Sequence, residues 1–147
     1  MGSEVSAGID SVPVTEVWAR LSRDSKAALV DVRTRAEWSY VGVPDLSSIG
    51  RDVVFAEWQT YPDGQVDPAF ADKLSKVLAE RHIGKDAAIY FICRSGVRSL
   101  SAARAMQAAG FKSCSNVADG FEGPLDPSRR RGRSGGWKAA YLPWVQA

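Results

Sequence analysis

The chain has 147 residues, of which 45% are hydrophobic and 24% are charged, so the composition is globular and excludes a disordered chain. Nineteen Lys and Arg residues against seventeen Asp and Glu residues give a net charge of +2, too small to predict nucleic-acid binding through overall charge. The longest wholly apolar run, residues 87–93, is far shorter than the ~20 residues of a membrane-spanning helix. We therefore expect one soluble domain over residues 1–147, with neither a nucleic-acid nor a membrane partner.

The first half of the chain alternates helical patterns with short apolar segments. Residues 14–21 carry apolar side chains at helical spacing, and residues 27–32 then have the pattern of a buried strand. A short helix is predicted over residues 35–41 and another strand over residues 53–55. We expect residues 1–12, which precede the first helical pattern, to be flexible.

The second half of the chain continues the alternation. Asp67 followed by Pro68 predicts a helix start with Asp67 as the capping residue, and Gly84 is expected to end that helix. The remaining predicted elements are a strand over residues 87–92, a helix over residues 99–109 and a strand over residues 113–117. This repetition predicts a small, doubly wound α/β domain, with a mainly parallel central sheet and helices on both faces.

One basic stretch, residues 126–136, interrupts this pattern. It has no apolar period and contains four arginines, Arg129, Arg130, Arg131 and Arg133. One interpretation is a solvated, mobile loop inserted into the domain. The other is that the loop lies over the mouth of the functional site and attracts an anionic donor or an acidic partner.

The chain has two cysteines, Cys93 and Cys114, and one histidine, His82. A structural zinc site needs four such ligands, so no metal site is predicted. Residues 1–11 lack the basic start and the apolar core of a secretory signal, and we expect a cytoplasmic protein with reduced thiols. Cys114 is expected to be buried and inert, with a resolving thiol as the alternative. His82 is expected at the surface, without a catalytic role.

The segment from Cys93 to Ser99 carries the chemistry. A cysteine leaves the carboxyl end of a buried strand, a short loop follows and a helix begins, which is where ligands bind in open α/β sheets. The loop consists of Arg94, Ser95, Gly96, Val97 and Arg98. Its amides and the helix N-terminus attract an anion and favour the thiolate form of Cys93. Arg94 and Arg98 add positive charge, Gly96 permits the tight turn, and Ser99 can cap the helix.

We therefore predict that Cys93 is a catalytic nucleophile and that residues 94–99 bind an anion. This hypothesis requires a thiol that solvent can reach, with neighbouring guanidinium groups turned toward it. The alternative is that Cys93 is a small buried residue of the core.

The chain resembles a single-domain rhodanese, a sulfurtransferase, almost from end to end. The similar segments are DVR at residues 31–33 with AEW at 36–38, VP at 43–44, CRSGVRS at 93–99, NV at 116–117 with GFEG at 120–123, and GWKAA at 136–140 with LP at 142–143. The resemblance implies that Cys93 carries sulfur as a covalent persulfide, without another cofactor. The donor would be a small anion such as thiosulfate, and the acceptor would be a thiol, cyanide or a protein.

Loop length separates this resemblance from that to cysteine phosphatases and arsenate reductases, which place one more residue between nucleophile and arginine. Four residues separate Cys93 from Arg98, and sulfur transfer is therefore favoured over phosphatase or arsenate reductase activity. A persulfide carrier without turnover, or a protein-docking module, stays open as an alternative. Asp31 and Arg33 either brace the active loop or form a structural ion pair. Tyr141 stands where relatives often have a glycine just past the last helix, and a side chain there costs about 1 kcal/mol if the left-handed conformation is kept.

Overall fold

The computed structural model describes residues 8–146. Its elements in chain order are β1 (Asp10–Val12), α1 (Val14–Arg23), β2 (Ala28–Asp31), α2 (Arg35–Val41), β3 (Val43–Pro44), a 3-10 turn (Ser47–Ile49), β4 (Val54–Phe55), α3 (Phe70–Glu80), β5 (Ala88–Ile92), α4 (Val97–Ala108), β6 (Ser113–Val117), α5 (Gly136–Ala139) and β7 (Trp144–Val145). Within residues 8–146, no helix is long and apolar enough to cross a membrane.

Five strands form one parallel sheet in the order β1, β6, β5, β2, β4. The predicted fold class is thereby confirmed. In the register of the sheet, Ile92 at the end of β5 pairs with Asp31 of β2, and Phe91 pairs with Asn116 of β6. The carboxyl ends of these three strands therefore meet beside Cys93, which directly follows β5. A separate antiparallel ladder joins β3 to β7.

The sheet is covered on both faces because successive side chains of a strand point to opposite sides. Ile89 and Phe91 of β5 pack into the core on the α3 and α4 side, whereas Tyr90 and Ile92 pack on the α1 and α5 side. The helices contribute Phe70, Leu74, Leu78, Ala102 and Met106 to the first core and Val17, Leu21 and Trp137 to the second.

The N-terminal strand corrects one expectation. Residues 10–12 are not flexible but form β1, which pairs in parallel with residues 115–117 of β6. Residues 1–7, for which flexibility was also expected, lie outside the described part of the chain. A strand of three residues is too short for its pattern to be recognised from the sequence alone.

The start and end of α3 also differ from prediction. The helix begins at Phe70, and the Asp67 carboxylate accepts a hydrogen bond from the amide of Ala69 at 2.8 Å, so it caps the preceding turn rather than the helix. The helix ends at Glu80, and the chain reverses through His82, whose φ is 61°, before reaching Gly84. His82 is exposed, as expected.

Candidate active site

The sulfur of Cys93 is surrounded by hydrogen-bonding groups of the loop that follows it. The backbone amides of Gly96 and Ser99 donate to Sγ at 3.2 and 3.3 Å, and the Ser99 hydroxyl lies 3.1 Å from the same atom. The Ser99 amide belongs to the first turn of α4, where N–H groups have no partner within the helix. Amides that donate to a sulfur favour its negatively charged form, so this arrangement of donors suits a thiolate side chain.

Backbone contacts from the turn after β6 fix the shape of the loop. The amide of Phe121 donates to the carbonyl of Cys93 at 2.8 Å, and that of Glu122 donates to the carbonyl of Arg94 at 2.9 Å. A Cβ on Gly120 would clash with the carbonyl oxygen of Cys93, so only glycine permits this close approach. Gly96 itself has a φ of 112°, a conformation that favours glycine, as the sequence predicted.

Ser99 does not cap α4, contrary to the sequence-based expectation. The helix begins two residues earlier, at Val97, with Gly96 at the N-cap position. The Ser99 side chain instead points inward, between the Cys93 sulfur and the side chain of Asn116, to whose Oδ1 it donates at 2.5 Å. Asn116 also donates to the Gly96 carbonyl at 3.1 Å and to the Ser11 hydroxyl at 3.3 Å, so it ties the loop to β6 and β1.

Glu37 is a residue of the site that the sequence reasoning missed. Its carboxylate accepts two hydrogen bonds from the guanidinium of Arg98, at 2.6 and 2.9 Å, and a third from the amide of Thr34 at the start of α2. Burial alone would raise the pKa of Glu37, but the bonds from Arg98 and Thr34 outweigh it and lower the pKa to about 2. Two sequence features include Glu37, the capping-box spacing from Thr34 and the AEW segment at residues 36–38, but neither indicates its pairing with Arg98.

The state of the thiol and of its two arginines differs from what the hypothesis required. Cys93 is only 1% exposed, Arg98 is bound to Glu37, and within residues 8–146 the exposed Arg94 side chain has no hydrogen bond or ion pair. The expected open thiol with both guanidinium groups turned toward it is therefore wrong for this conformation. The reason is that the loop wraps its own amides around the sulfur in place of water.

Arg98 makes no hydrogen bond to the sulfur, because its guanidinium is paired with Glu37. The pKa of Arg98 is raised chiefly by this hydrogen bond to Glu37. No hydrogen bond joins the side chain of Ser95 or Val97 to the sulfur, and Val97 is exposed.

Asp31 and Arg33 form a fully buried ion pair, with 2.7 Å between Oδ2 and Nη2. Arg33 also donates to the carbonyl of Gly42 at 2.7 Å, and its guanidinium lies 4.3 Å from the centre of the Phe121 ring. The pair is therefore structural in the first place. It also contacts Phe121, whose amide donates to the carbonyl of Cys93.

A cleft of about 620 Å³ opens beside the loop, and Arg94 and Arg98 form part of its wall. From the basic loop only Arg131 reaches this cleft, anchored by a 2.8 Å hydrogen bond to the carbonyl of Gly123. The basic loop ends at residue 135, since Gly136 begins α5. A second cavity, of about 740 Å³, lies at the amino ends of the strands around His82 and does not include the cysteine loop.

Cys114 is buried in β6, and burial raises the pKa of its thiol to about 11. It pairs with Ile89 of β5, four residues before Cys93. At about 3.3 Å per residue of strand the two cysteines are ~13 Å apart, far beyond the ~7 Å between Cα atoms that a disulfide allows. Its position agrees with the buried, inert thiol rather than with a resolving one.

Comparison with known proteins agrees with this architecture. The family described as the STR4 middle domain matches residues 8–147. The crystal structure of Rv0390 from M. tuberculosis is 44% identical, with a TM-score of 0.83 over 94% of this chain and 98% of that chain. Rhodanese-like domain-containing protein 4, chloroplastic, of Arabidopsis thaliana is 28% identical over 96% of this chain, which spans 26% of that protein.

A more distant structure shares the fold alone. The polysulfide-sulfur transferase homodimer of Wolinella succinogenes superposes with a TM-score of 0.58 at 18% identity, over 98% of this chain and 83% of that one. A parallel α/β sheet with a cysteine loop after its central strand defines the class, a rhodanese-like domain. The chain belongs to the rhodanese-like family described as the STR4 middle domain.

Proposed function

We propose that the protein is a sulfurtransferase that moves sulfane sulfur from a small anionic donor such as thiosulfate to a thiol or cyanide, through a persulfide on Cys93. The observation that carries this proposal is the convergence of two donating backbone amides, those of Gly96 and Ser99, on a single sulfur atom. The family supports it, since rhodanese-like neighbours include proteins named as sulfur transferases.

In the first step the Cys93 thiolate attacks the outer sulfur of thiosulfate. A bond forms between the two sulfurs, the sulfur–sulfur bond of thiosulfate breaks, and sulfite leaves with the electron pair. The negative charge of the enzyme then resides on the outer sulfur of the persulfide. The loop amides stabilise that charge as it develops.

In the second step the acceptor attacks the outer sulfur, and the Cys93 thiolate is the leaving group. Cyanide gives thiocyanate, and a thiolate gives a new persulfide. Neither step needs a general base when Cys93 is already ionised, which suits a site whose only histidine lies at the other end of the sheet.

Burial of the thiol adds a condition to this mechanism. Because Cys93 is only 1% exposed, a donor cannot reach its sulfur in this conformation, so residues 94–98 must move to admit the donor. The same burial favours a second candidate function, a persulfide carrier that thiosulfate loads once and that gives up its sulfur only when a partner protein opens the loop.

The length of the loop disfavours a phosphatase. Four residues separate Cys93 from Arg98, one fewer than in cysteine phosphatases, and the shorter loop is too narrow for a tetrahedral oxyanion. We therefore expect no hydrolysis of p-nitrophenyl phosphate.

Sulfite release and thiocyanate formation test the proposal. The protein is mixed with thiosulfate and cyanide, and both products are counted per protein molecule. Many thiocyanate molecules per protein support the enzyme, and a single sulfite equivalent without thiocyanate supports the carrier. No sulfite, or an equal amount from Cys93→Ser, contradicts both functions.

A further inference from the structure

The cleft beside the cysteine loop is much larger than the donor and acceptor considered so far. Its volume of about 620 Å³ lies in the range of ~300–1,000 Å³ that is usual for sites of small organic ligands. Thiosulfate and cyanide are ions of only a few atoms and would leave most of it empty. Because Arg94 directly follows Cys93 and lines the cleft, the space adjoins the loop that must open to expose the sulfur.

The charges in this cleft favour an anion. Arg98 and Glu37 neutralise each other through their paired hydrogen bonds. Of the other charged residues that line the cleft, Arg94 and Arg131 are positive and Glu122 is negative, so the wall has a net positive charge. The two cations come from separate segments of the chain, the cysteine loop and the basic loop.

Arg131 is placed in the cleft by an ordered turn of the basic loop. The carboxylate of Asp126 accepts hydrogen bonds from the amides of Ser128 and Arg130, and the amide of Gly132 donates to the carbonyl of Glu122. One Nη of Arg131 is used by the Gly123 carbonyl, and within residues 8–146 its other guanidinium nitrogens have no hydrogen-bond partner. Those nitrogens can donate to a ligand.

We infer that the cleft binds the sulfur acceptor, a small thiol that carries carboxylate groups, and that Arg131 selects it. This inference rests on the proposed function of Cys93 and names the class of molecule that accepts its sulfur. The thiol attacks the outer sulfur of the persulfide, while its carboxylates accept hydrogen bonds from Arg131 and Arg94.

A single-turnover measurement isolates the acceptor step. The full chain is loaded with sulfur from thiosulfate, desalted, and mixed either with mercaptosuccinate, which has two carboxylates, or with neutral 2-mercaptoethanol. Loss of the persulfide is followed by mass spectrometry for the wild type, Arg131→Gln, Arg131→Lys and Arg133→Gln. The last is the matched control, because Arg133 is an exposed arginine of the same loop that does not line the cleft.

We expect Arg131→Gln to lower the second-order rate constant for mercaptosuccinate about fivefold more than that for 2-mercaptoethanol. Arg131→Lys, which keeps the charge, retains most of the preference, and Arg133→Gln changes it by less than about twofold. An equal loss for both thiols, or an Arg133→Gln effect as large as that of Arg131→Gln, overturns the inference. If the protein loads sulfur normally but shows either of these results, only the inferred class of acceptor is wrong. If the wild type takes up no sulfur from thiosulfate, the proposed function itself is wrong.

Discussion

The ion pair between Glu37 and Arg98 links the cysteine loop to α2, and its removal has a calculable cost. The side chains are only 20% and 18% exposed. The pKa of Glu37 falls from 4.5 to about 2, against the opposing effect of burial. This drop corresponds to at most about 3 kcal/mol of folding free energy, and to about 2 kcal/mol after allowance for solvent screening.

The pH dependence has a definite sign. A carboxyl whose pKa is lower in the folded than in the unfolded state stabilises the fold above about pH 5, and this stabilisation is lost as the pH falls toward about 2. Glu37→Gln should therefore lower the free energy of unfolding by about 2 kcal/mol near neutral pH, and by progressively less below about pH 5.

Urea denaturation of the wild type and of Glu37→Gln at several pH values measures this difference. Glu80→Gln is the control, since it removes the same charge from an exposed position at the end of α3. We expect the control to differ from the wild type by less than about 0.5 kcal/mol. A Glu37→Gln effect that is constant between about pH 7 and pH 3, or one no larger than that of the control, would refute the reasoning.

Three further predictions concern backbone geometry and the second cysteine. Gly120→Ala should abolish sulfite release and destabilise the fold far more than Gly50→Ala. Both residues have a positive φ, but only a Cβ at Gly120 would clash with the backbone of the cysteine loop. Equal losses of unfolding free energy for the two variants in urea denaturation would contradict this. Tyr141→Gly should raise the free energy of unfolding by about 0.5–1 kcal/mol, since Tyr141 has a φ of 59° and is exposed; an unchanged urea midpoint would speak against strain there. Cys114→Ser should keep the rate of sulfite release, because the thiol is buried with a raised pKa of about 11; a rate below half that of the wild type would show that Cys114 takes part.

The sequence allowed a close prediction of the sheet and its helices because their signals are local. Alternating apolar runs and glycine turns mark β5, α4 and β6 to within two residues. Tyr141 keeps the left-handed conformation that the glycine of relatives suggests at this position, with a φ of 59°. The start of α4 is less clearly marked in the sequence, because its N-cap residue, Gly96, has no side chain, whereas Ser99, the predicted cap, lies inside the helix.

The interactions of the site could not be predicted because they join residues far apart in the chain. Arg98 and Glu37 are 61 residues apart, and Asn116 and Ser11 are 105 apart. The spacing of residues along a sequence predicts which side chains are neighbours within one helix or strand. These pairs join different elements, and they form only when β1, β5 and β6 are aligned and α2 lies beside the loop. The burial of Cys93 also depends on residues that are distant in the sequence. The turn at residues 119–123 binds the backbone of the cysteine loop and so fixes the position of the amides that surround the sulfur.

Intact-mass measurement directly tests whether Cys93 accepts one sulfur atom. The intact mass of the full chain is recorded after incubation with thiosulfate and removal of the excess. A gain of a single sulfur atom by the wild type and by Cys114→Ser, with none on Cys93→Ser, is the predicted result. An unchanged wild-type mass, or a gain that survives loss of the Cys93 thiol, would contradict the account.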